Sequence, residues 1–372
     1  MEYRPDSAFT KALPKPELHA HFSGSISRQC LREIWQKRLA GGEVMDLEDP
    51  LTAIRSGEDG FVDVKTFFPL FNTYIYSLVD RLQWVSFAFD SVIKDFMGDG
   101  VKYLELRTTP RLMKGRGKEA YVRILNESLG ERARERPDEA EKMEVYLILS
   151  IDRGMTAEQA MQVVDEAICY QYKPDDPESR NAYVVGVDLC GNPTKGDVSI
   201  FTPAFKKAKK AGLSITVHFA EIPQSSLDEE LETILSWEPD RLGHCVHVSE
   251  KFKQILGERR IALELCLSCN VLAGLTTGGL EKHHFREWHD RRTNAVALCT
   301  DDVGIFGSSL SHEYLLVSQY FGLSKKGLLQ LSRDAAAVGF AGEKAKSRMV
   351  RHVNGFAASQ GLADELDHAL SL

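Results

Sequence analysis

The sequence predicts a protein of the α/β class whose single domain, spanning residues 1–372, is a closed (β/α)₈ barrel of the TIM type. Three observations lead to this expectation. Eight short apolar runs alternate with stretches of helical periodicity, which is typical of parallel strands buried on both faces. The chain has the length of one such barrel, and polar residues gather at the ends of the runs. A doubly wound parallel sheet gives a similar pattern and is the alternative fold.

Each apolar run is interpreted as one strand, because it is short and rich in Val, Ile, Leu and Tyr. In chain order the predicted strands are 17–22, 103–109, 144–152, 184–190, 214–220, 241–247, 262–268 and 295–301. Apolar residues at helical spacing mark the clearest helices between them. These helices are 82–96, 156–167, 201–211, 227–235 and 251–259.

Four segments depart from a plain strand–helix repeat. Residues 23–100 are too long for one helix and predict a helical cap inserted after the first strand. The strongly charged segment 113–143 is interpreted as a solvated helix with flexible ends. Residues 173–182 predict a surface loop. The tail, 324–372, is helical in character and carries no chemistry that the sequence identifies.

Composition excludes some classes of function. With 46 Lys and Arg against 54 Asp and Glu, the net charge of −8 argues against binding of a nucleic-acid polymer, although one Arg can still hold one phosphate. Seven cysteines are an odd number, and C-x-x-C at 266–269 has no second pair, so we expect free thiols without a metal role. No apolar run approaches the roughly 18 residues of a membrane helix. We therefore expect a cytoplasmic protein with no membrane partner.

The first candidate site is the pair His19 and His21 in the first predicted strand. Side chains two apart on a strand share one face, so both imidazoles point the same way. Neutral imidazole is a favoured ligand for Zn²⁺ and related metals. An H-x-H pair alone is a weak signal, and it needs further ligands from elsewhere in the chain.

The other strand ends supply such groups. In a barrel they all lie at the carboxyl-terminal face, where barrel active sites are built. They are Arg107-Thr108-Thr109-Pro110-Arg111, Asp152-Arg153, Asp188, Gly191-Asn192-Pro193, His218, Glu221, His244, His247, Asp301 and Asp302.

A metal site follows from the chemistry of these groups. Both histidines of the first strand, His218 and one carboxylate from Asp301-Asp302 make three nitrogen ligands and one oxygen ligand. That set suits one Zn²⁺ with an open position for water, whose pKa the metal lowers toward neutrality.

Two further residues fit roles in proton transfer. Glu221, three residues after His218, is free to donate and accept protons, which works best when an apolar pocket raises its pKa. His244 would orient the attacking water or take its proton. His247, an odd number of residues further on, would face away, and we expect it to be structural.

Several motifs together resemble the adenosine/AMP deaminase superfamily. They occur at 13–25 (LPKPELHAHFSGS), 191–193 (GNP), 218–221 (HFAE), 241–244 (RLGH), 268–270 (SCN) and 299–306 (CTDDVGIF). Three segments look most like its adenosine-deaminase-like branch, the N6-methyl-AMP deaminases: 103–111 (YLELRTTPR), 149–153 (LSIDR) and 301–306 (DDVGIF). That branch converts N6-methyl-AMP and water to IMP and methylamine.

The resemblance implies a barrel of the metal-dependent hydrolase kind and a small-molecule purine nucleotide as substrate. It implies Zn²⁺ on His19, His21, His218 and Asp301. It implies Glu221 as proton donor to the purine N1 and His244 beside the attacking water. It implies substrate contacts from His21, Ser23, Thr108, Thr109, Pro110, Arg111, Asp152, Gly191 and Asp302.

The outer half of the substrate site is less well defined. Arg111, with two neighbouring hydroxyls, suits bidentate binding of a 5′-phosphate. Ser23 stands where the branch often has Asn. A histidine that the branch uses between its first two strands has no counterpart, and residues 67–78 offer Asn72, Tyr74 and Tyr76 instead.

Three alternatives stay open. An adenosine or adenine deaminase would have the same site chemistry. A binuclear metallohydrolase typically needs a carboxylated Lys after strand four, where this chain has Asp188-Leu189-Cys190-Gly191, so we expect one metal. A catalytically inactive barrel would lack a ligand or the acid, and none is missing. We expect a monomer.

Overall fold

A computed structural model of the chain describes residues 5–54, 69–176 and 181–363. Eight parallel strands form one sheet in the order β1 to β8, each paired with its neighbours in sequence. The strands are β1 Lys15–His21, β2 Val101–Thr108, β3 Glu144–Asp152, β4 Val184–Cys190, β5 Ser214–Phe219, β6 Arg241–His244, β7 Ala262–Leu265 and β8 Val296–Leu298.

Asp301 closes the barrel. The segment after β8 returns to β1 through a parallel bridge between Ala20 and Asp301. The amide of His21 donates to the carbonyl of Asp301 at 2.9 Å, and the amide of Asp301 donates to the carbonyl of His19 at 2.8 Å. The predicted (β/α)₈ barrel is therefore confirmed, and the doubly wound alternative is wrong.

Helices surround the sheet, as expected for a parallel sheet covered on its outer face. The α-helices are Ser7–Ala12, Phe22–Ser25, Arg28–Ala40, Pro50–Ala53, Tyr76–Leu78, Leu82–Gly98, Lys118–Glu135, Pro137–Lys142, Ala157–Cys169, Thr202–Lys210, Asp228–Leu235, Glu250–Arg259, Leu267–Leu272, Phe285–Arg291, Val303–Phe306, Leu310–Phe321, Lys325–Ala337 and Glu343–Ser359. One π-helical turn spans Phe71–Ile75, and short 3₁₀ turns span Val198–Phe201, Pro223–Ser225 and Leu280–Lys282. Across the described ranges no helix has both the length and the apolar character needed to span a membrane.

Differences from the predicted elements have local causes. Helices fill the described parts of the predicted cap, and residues 55–68 lie outside the described ranges. The helix Lys118–Glu135 buries one face, including Tyr121 and Leu125, so it is not solvated all round. Of the predicted loop 173–182, residues 177–180 lie outside the described ranges.

The carboxyl-terminal helices close the barrel end opposite the predicted site. The hydroxyl of Ser332 donates to the carbonyl of Pro14, just before β1, at 2.7 Å. Arg241, the first residue of β6, donates to the carbonyl of Val338 at 2.8 Å and lies 3.4 Å from the centre of the Phe340 ring. The described part of the tail therefore covers the amino-terminal end of the barrel and leaves the carboxyl-terminal end open for chemistry.

Candidate active site

A cavity lies where the carboxyl-terminal ends of the strands meet. Most of the residues predicted for the site line it, together with aromatic residues from the cap. The lining residues are His21, Phe22, Ser23, Phe71, Tyr76, Arg107, Thr108, Thr109, Asp152, Cys190, Gly191, His218, Glu221, His244, Asp301 and Asp302.

Four histidines and one carboxylate converge at the base of this cavity. His19, His218, His244 and Asp301 each offer a ligand atom within 4.8 Å of the others. The Nε2 of His21 lies 3.0 Å from the Nε2 of His218 and 3.3 Å from Oδ1 of Asp301. Five side chains can therefore supply ligand atoms, whereas the predicted metal site uses four of them.

Buried carboxylates orient two of these histidines. Nδ1 of His19 lies 2.7 Å from Oε2 of Glu264, and Nδ1 of His218 lies 3.1 Å from Oδ1 of Asp188. Because ionised carboxylates only accept hydrogen bonds, each Nδ1 carries the proton and each Nε2 presents its lone pair to the centre. The sequence placed Asp188 at a strand end, but it did not identify Glu264.

Arg107 holds both carboxylates in place. Its guanidinium is fully buried and donates to Asp188 at 3.2 Å and to Glu264 at 2.8 Å. Burial alone would raise the pKa of Glu264, but Arg107 and Arg241 hold it well below its usual range. Glu264 is therefore an anion that accepts the proton of His19.

The donor set fits a divalent metal. The Nε2 atoms of His19 and His218 face each other at 3.2 Å, so with both Nδ1 atoms protonated their lone pairs repel unless a proton or a metal cation lies between them. A cation between these lone pairs removes their repulsion. Burial and Arg107 oppose protonation of His19, yet Asp301 and Glu264 raise its pKa to about 9, so without metal a proton on Nε2 holds the place where a cation would bind.

His244 and Glu221 lie beside the cluster. Nε2 of His244 is 3.7 Å from Oε1 of Glu221 and 3.9 Å from Oδ2 of Asp301, and it has no hydrogen-bond partner among the described residues. Burial holds the pKa of His244 well below its usual range. Burial also raises the pKa of Glu221, which suits a carboxyl group that donates a proton.

The backbone at two of these strand ends is strained. His244 and Asp301 have φ values of 63° and 61°, in the left-handed region that residues other than glycine rarely adopt. Such conformations persist where the surrounding contacts determine them, and they are common in active sites. The thiol of Cys269 supports Asp301 by donating to its Oδ2 at 2.8 Å.

Asp302 faces a glycine across the cavity floor. A Cβ at Gly24 would lie 1.5 Å from Oδ1 of Asp302, so only glycine fits there. Burial, followed by the charge of Asp301, raises the pKa of Asp302 well above its usual range. Its Oδ1 has no hydrogen-bond partner within the part of the chain that is described, so it is free to bond a ligand.

The predicted substrate contacts divide into two groups. Ser23, Thr108, Thr109, Asp152 and Gly191 line the cavity together with His21 and Asp302. Gly191 has a φ of 97°, and a Cβ there would lie 2.5 Å from Asp152, so this position also requires glycine. Pro110 and Arg111 are absent from the lining, and their proposed contact with substrate stays a prediction.

Arg111 packs behind the cavity wall. It donates from Nη2 to the carbonyl of Val79 at 2.8 Å, and its guanidinium lies 4.5 Å from the centre of the Tyr76 ring. Tyr76 itself lines the cavity, while the hydroxyl of Tyr74 donates to the carbonyl of Glu48. Of the segment 67–78, residues 67–68 and the side chain of Asn72 lie outside the description.

Several contributors were missed by sequence reasoning. Glu264, Cys269 and Asn270 contact the histidines or Asp301, and Asn270 lies within the SCN motif without having been assigned a role. The sequence did contain a signal for Glu264, because it is a charged residue inside the otherwise apolar run ALELCLS. His247 does not line the cavity, as its spacing from His244 indicated.

Known proteins resemble this chain over most of its length. Residues 14–355 match the sequence profile of the adenosine deaminase family. The N6-methyl-AMP deaminase of Danio rerio is 36% identical over 92% of this chain and 94% of that protein. The N6-mAMP deaminase of Arabidopsis thaliana is 33% identical over 91% of this chain and 96% of that protein.

A solved structure agrees with these relatives. The crystal structure of arabidopsis ADAL complexed with IMP superposes with a TM-score of 0.83 at 32% identity, covering 95% of this chain and 99% of that one. The family match, the relatives and the barrel with its histidine cluster lead to one conclusion. The chain belongs to the adenosine deaminase family and is a hydrolytic deaminase.

Proposed function

We propose that this deaminase converts N6-methyl-AMP and water to IMP and methylamine. One observation carries the proposal: Glu221 lies buried beside the histidine–aspartate cluster, at the floor of a cavity that also contains Asp302 and Gly191. Relatives of 33–36% identity bear the name of this activity, and a structural neighbour binds IMP, its product.

We assign the metal site to His19, His21, His218 and Asp301, with one Zn²⁺ per chain. The facing Nε2 lone pairs of His19 and His218 support a cation at this point, and nitrogen-rich donor sets favour zinc. When bound, the metal lowers the pKa of water and so supplies a hydroxide nucleophile at neutral pH.

Glu221 is the proton donor in this scheme. Burial raises the pKa of Glu221 and so favours the protonated carboxyl, which would donate to the purine N1 and make C6 electrophilic. Asp302 and Gly191 hold the ring in the orientation that this transfer needs. The C6–O bond forms, the ionised Glu221 takes the proton left on the attacking oxygen and passes it to N6, and the C6–N6 bond breaks to release methylamine.

The proposed phosphate contacts come from the segment after β2. Thr108 and Thr109 line the cavity, and Ser23 lies just after the neighbouring strand β1. Arg111 would reach a 5′-phosphate by releasing the carbonyl of Val79. A bidentate, charge-assisted pair between its guanidinium and the phosphate would then replace the hydrogen bond to Val79.

The position of Arg111 also favours a second candidate, adenosine itself. Among the described lining residues the permanent cation is Arg107, which is bonded to Asp188 and Glu264, so with Arg111 turned toward Val79 none of them is dedicated to phosphate. Adenosine would use the same metal, Glu221 and ring contacts. The two candidates differ only in what the outer half of the cavity binds.

Turnover of three substrates by the purified, zinc-loaded protein separates these candidates. We expect kcat/KM to be highest for N6-methyl-AMP, with AMP and adenosine lower. Arg111→Leu should then reduce kcat/KM for the monophosphates and leave that for adenosine within a few fold. Preference for adenosine in the native protein would overturn the assignment.

We further propose that the enzyme acts as a cytoplasmic monomer. All seven cysteines are unpaired, which suits a reducing compartment. Light scattering coupled to size exclusion should give the mass of one chain. A stable dimer would contradict the monomer.

A further inference from the structure

We propose that His283 and Asn270 fix the tautomer of His244, so that His244 presents an N–H to the attacking oxygen. They are then positioning residues that act on the reaction through His244. The identity of that oxygen rests on the proposed function, but the tautomer itself rests on hydrogen bonds within this chain.

The argument begins at a backbone amide. The N–H of Phe285 donates to Nδ1 of His283 at 3.0 Å. A backbone nitrogen can only donate, so Nδ1 of His283 must be the acceptor and carry no proton. The proton of this ring is therefore on Nε2.

The protonation of His283 determines the orientation of the Asn270 amide, which in turn bonds to His244. Nε2 of His283 donates to Oδ1 of Asn270 at 3.2 Å, which determines which end of the amide faces which histidine. The amide nitrogen, Nδ2, then donates to Nδ1 of His244 at 2.9 Å. These three residues are at most 2% exposed, so water does not offer alternative partners.

The result is a defined state of His244. Its Nδ1 accepts a hydrogen bond, so a neutral ring carries its proton on Nε2. That Nε2 has no hydrogen-bond partner among the described residues, and the carboxylate oxygens of Glu221 and Asp301 lie 3.7 and 3.9 Å away, too far for hydrogen bonds. The N–H is available to an oxygen placed between the cluster and the substrate.

This state excludes two other roles. A protonated Nε2 has no lone pair, so His244 neither ligates the metal nor accepts the proton of the attacking water. Of the five groups at the base of the cavity, His244 is therefore the one outside the ligand set. Its contribution is a hydrogen bond to the oxygen that attacks C6.

The segment 283–288, which contains His283, also holds the backbone of His244. Nε2 of His284 lies 2.7 Å from the carbonyl of His244, and Nε1 of Trp288 donates to the carbonyl of Cys245 at 3.2 Å. Both carbonyls belong to residues with left-handed φ, at 63° and 51°. Neighbouring residues of one segment therefore fix the ring orientation of His244 and the strained turn that carries it.

Histidine side-chain nitrogen NMR on the zinc-loaded protein tests the tautomer directly. The signals of His244 are assigned by their loss in His244→Gln. We expect its Nε2 to be protonated and its Nδ1 to be unprotonated. A proton on Nδ1 would overturn the inference, even if the enzyme turned over N6-methyl-AMP normally.

Asn270→Asp tests the consequence with a side chain of the same shape. A carboxylate accepts from both histidines, so it places a proton on Nδ1 of His244 and reverses the tautomer. Loss of one preorganised donor typically lowers kcat by about 10²–10³-fold. We expect that fall in kcat, with KM and the affinity for IMP within a few fold of the native values.

A matched control is His289→Gln, because His289 lies in the helix Phe285–Arg291 and its Nδ1 lies 3.2 Å from Oδ1 of Asp290, outside the hydrogen bonds that join His283, Asn270 and His244. It should retain native kcat. Native kcat in Asn270→Asp, with its tautomer reversed in the NMR spectrum, would also overturn the inference. If the native protein shows the predicted tautomer but no turnover of the nucleotide, only the proposed function fails.

Discussion

Gly243→Ala should disable the metal centre without touching any proposed ligand. Gly243 lies in β6, paired with His218 on one side and Glu264 on the other. An added Cβ would lie 2.6 Å from Cε1 and 2.9 Å from Nδ1 of His19. Gly243 is not among the glycines with positive φ, so alanine fits its backbone and the conflict is with the His19 ring alone.

The size of the effect follows from these distances. Carbon atoms pack at roughly 3.5 Å or more, so the ring must retreat by about 1 Å. His19 is fully buried and its Nδ1 is bonded to Glu264 at 2.7 Å, so this movement breaks that bond or misplaces Nε2. We expect a loss of about 1–3 kcal/mol in unfolding free energy. Zinc affinity should fall by about 10–100-fold, as when a partner of a metal-bound histidine is lost.

Competition with a chelator measures the affinity, and urea unfolding of the metal-free protein measures the stability. Gly355→Ala is the matched control, because nothing lies within 4 Å of its added Cβ in the helix Glu343–Ser359. It should gain about 0.5–1 kcal/mol and bind zinc normally. Unchanged zinc affinity in Gly243→Ala would refute the idea that His19 needs its present position.

Three further changes test other parts of the site. Glu221→Gln should keep zinc and fold while kcat falls by about 10²–10⁴-fold, since the amide cannot donate as an acid; unchanged turnover would assign the proton to another group. Asp188→Asn should weaken zinc binding by about 10–100-fold in chelator titrations, because Nδ1 of His218 then faces a neutral amide in place of an anionic acceptor, and native affinity would contradict that role. The alkaline limb of the pH profile of kcat should lie above the usual carboxyl range, because kcat falls as pH rises through the raised pKa of Glu221; a limb near pH 4 would argue against this acid.

The bounds of a strand could be predicted where the apolar run in the sequence ends at the same residue as the strand pairing. The bounds of β3 and β4 agree with the predicted 144–152 and 184–190. Predictions for β6, β7 and β8 were too long for local reasons. β6 ends at His244, whose φ is left-handed, and a helix starts at Leu267 just after β7. The pairing of β8 with β7 ends at Leu298, and Asp301 adds only an isolated bridge to Ala20. Apolar composition does not reveal such local turns.

The site could be predicted from the sequence where the alternation of side chains along a strand and the order of the motifs put its residues at the same end of the barrel. His19 and His21 share a face because they lie two apart on β1, and the register of β5 brings His218 beside them. The orientation of Arg111 depends on packing against Tyr76, which no spacing encodes. The hydrogen bonds from Phe285 to His244 join separate segments, so only the folded arrangement reveals them.

Restoring metal to the metal-free protein tests the central claim that one histidine–aspartate centre carries out the reaction. Zinc is removed by dialysis against a chelator and returned in known amounts, while turnover of N6-methyl-AMP and bound zinc are measured on the same samples. The structure predicts no activity without zinc and a linear rise that stops at one zinc per chain. Full activity in the metal-free protein, or a rise that continues to two, would contradict the claim.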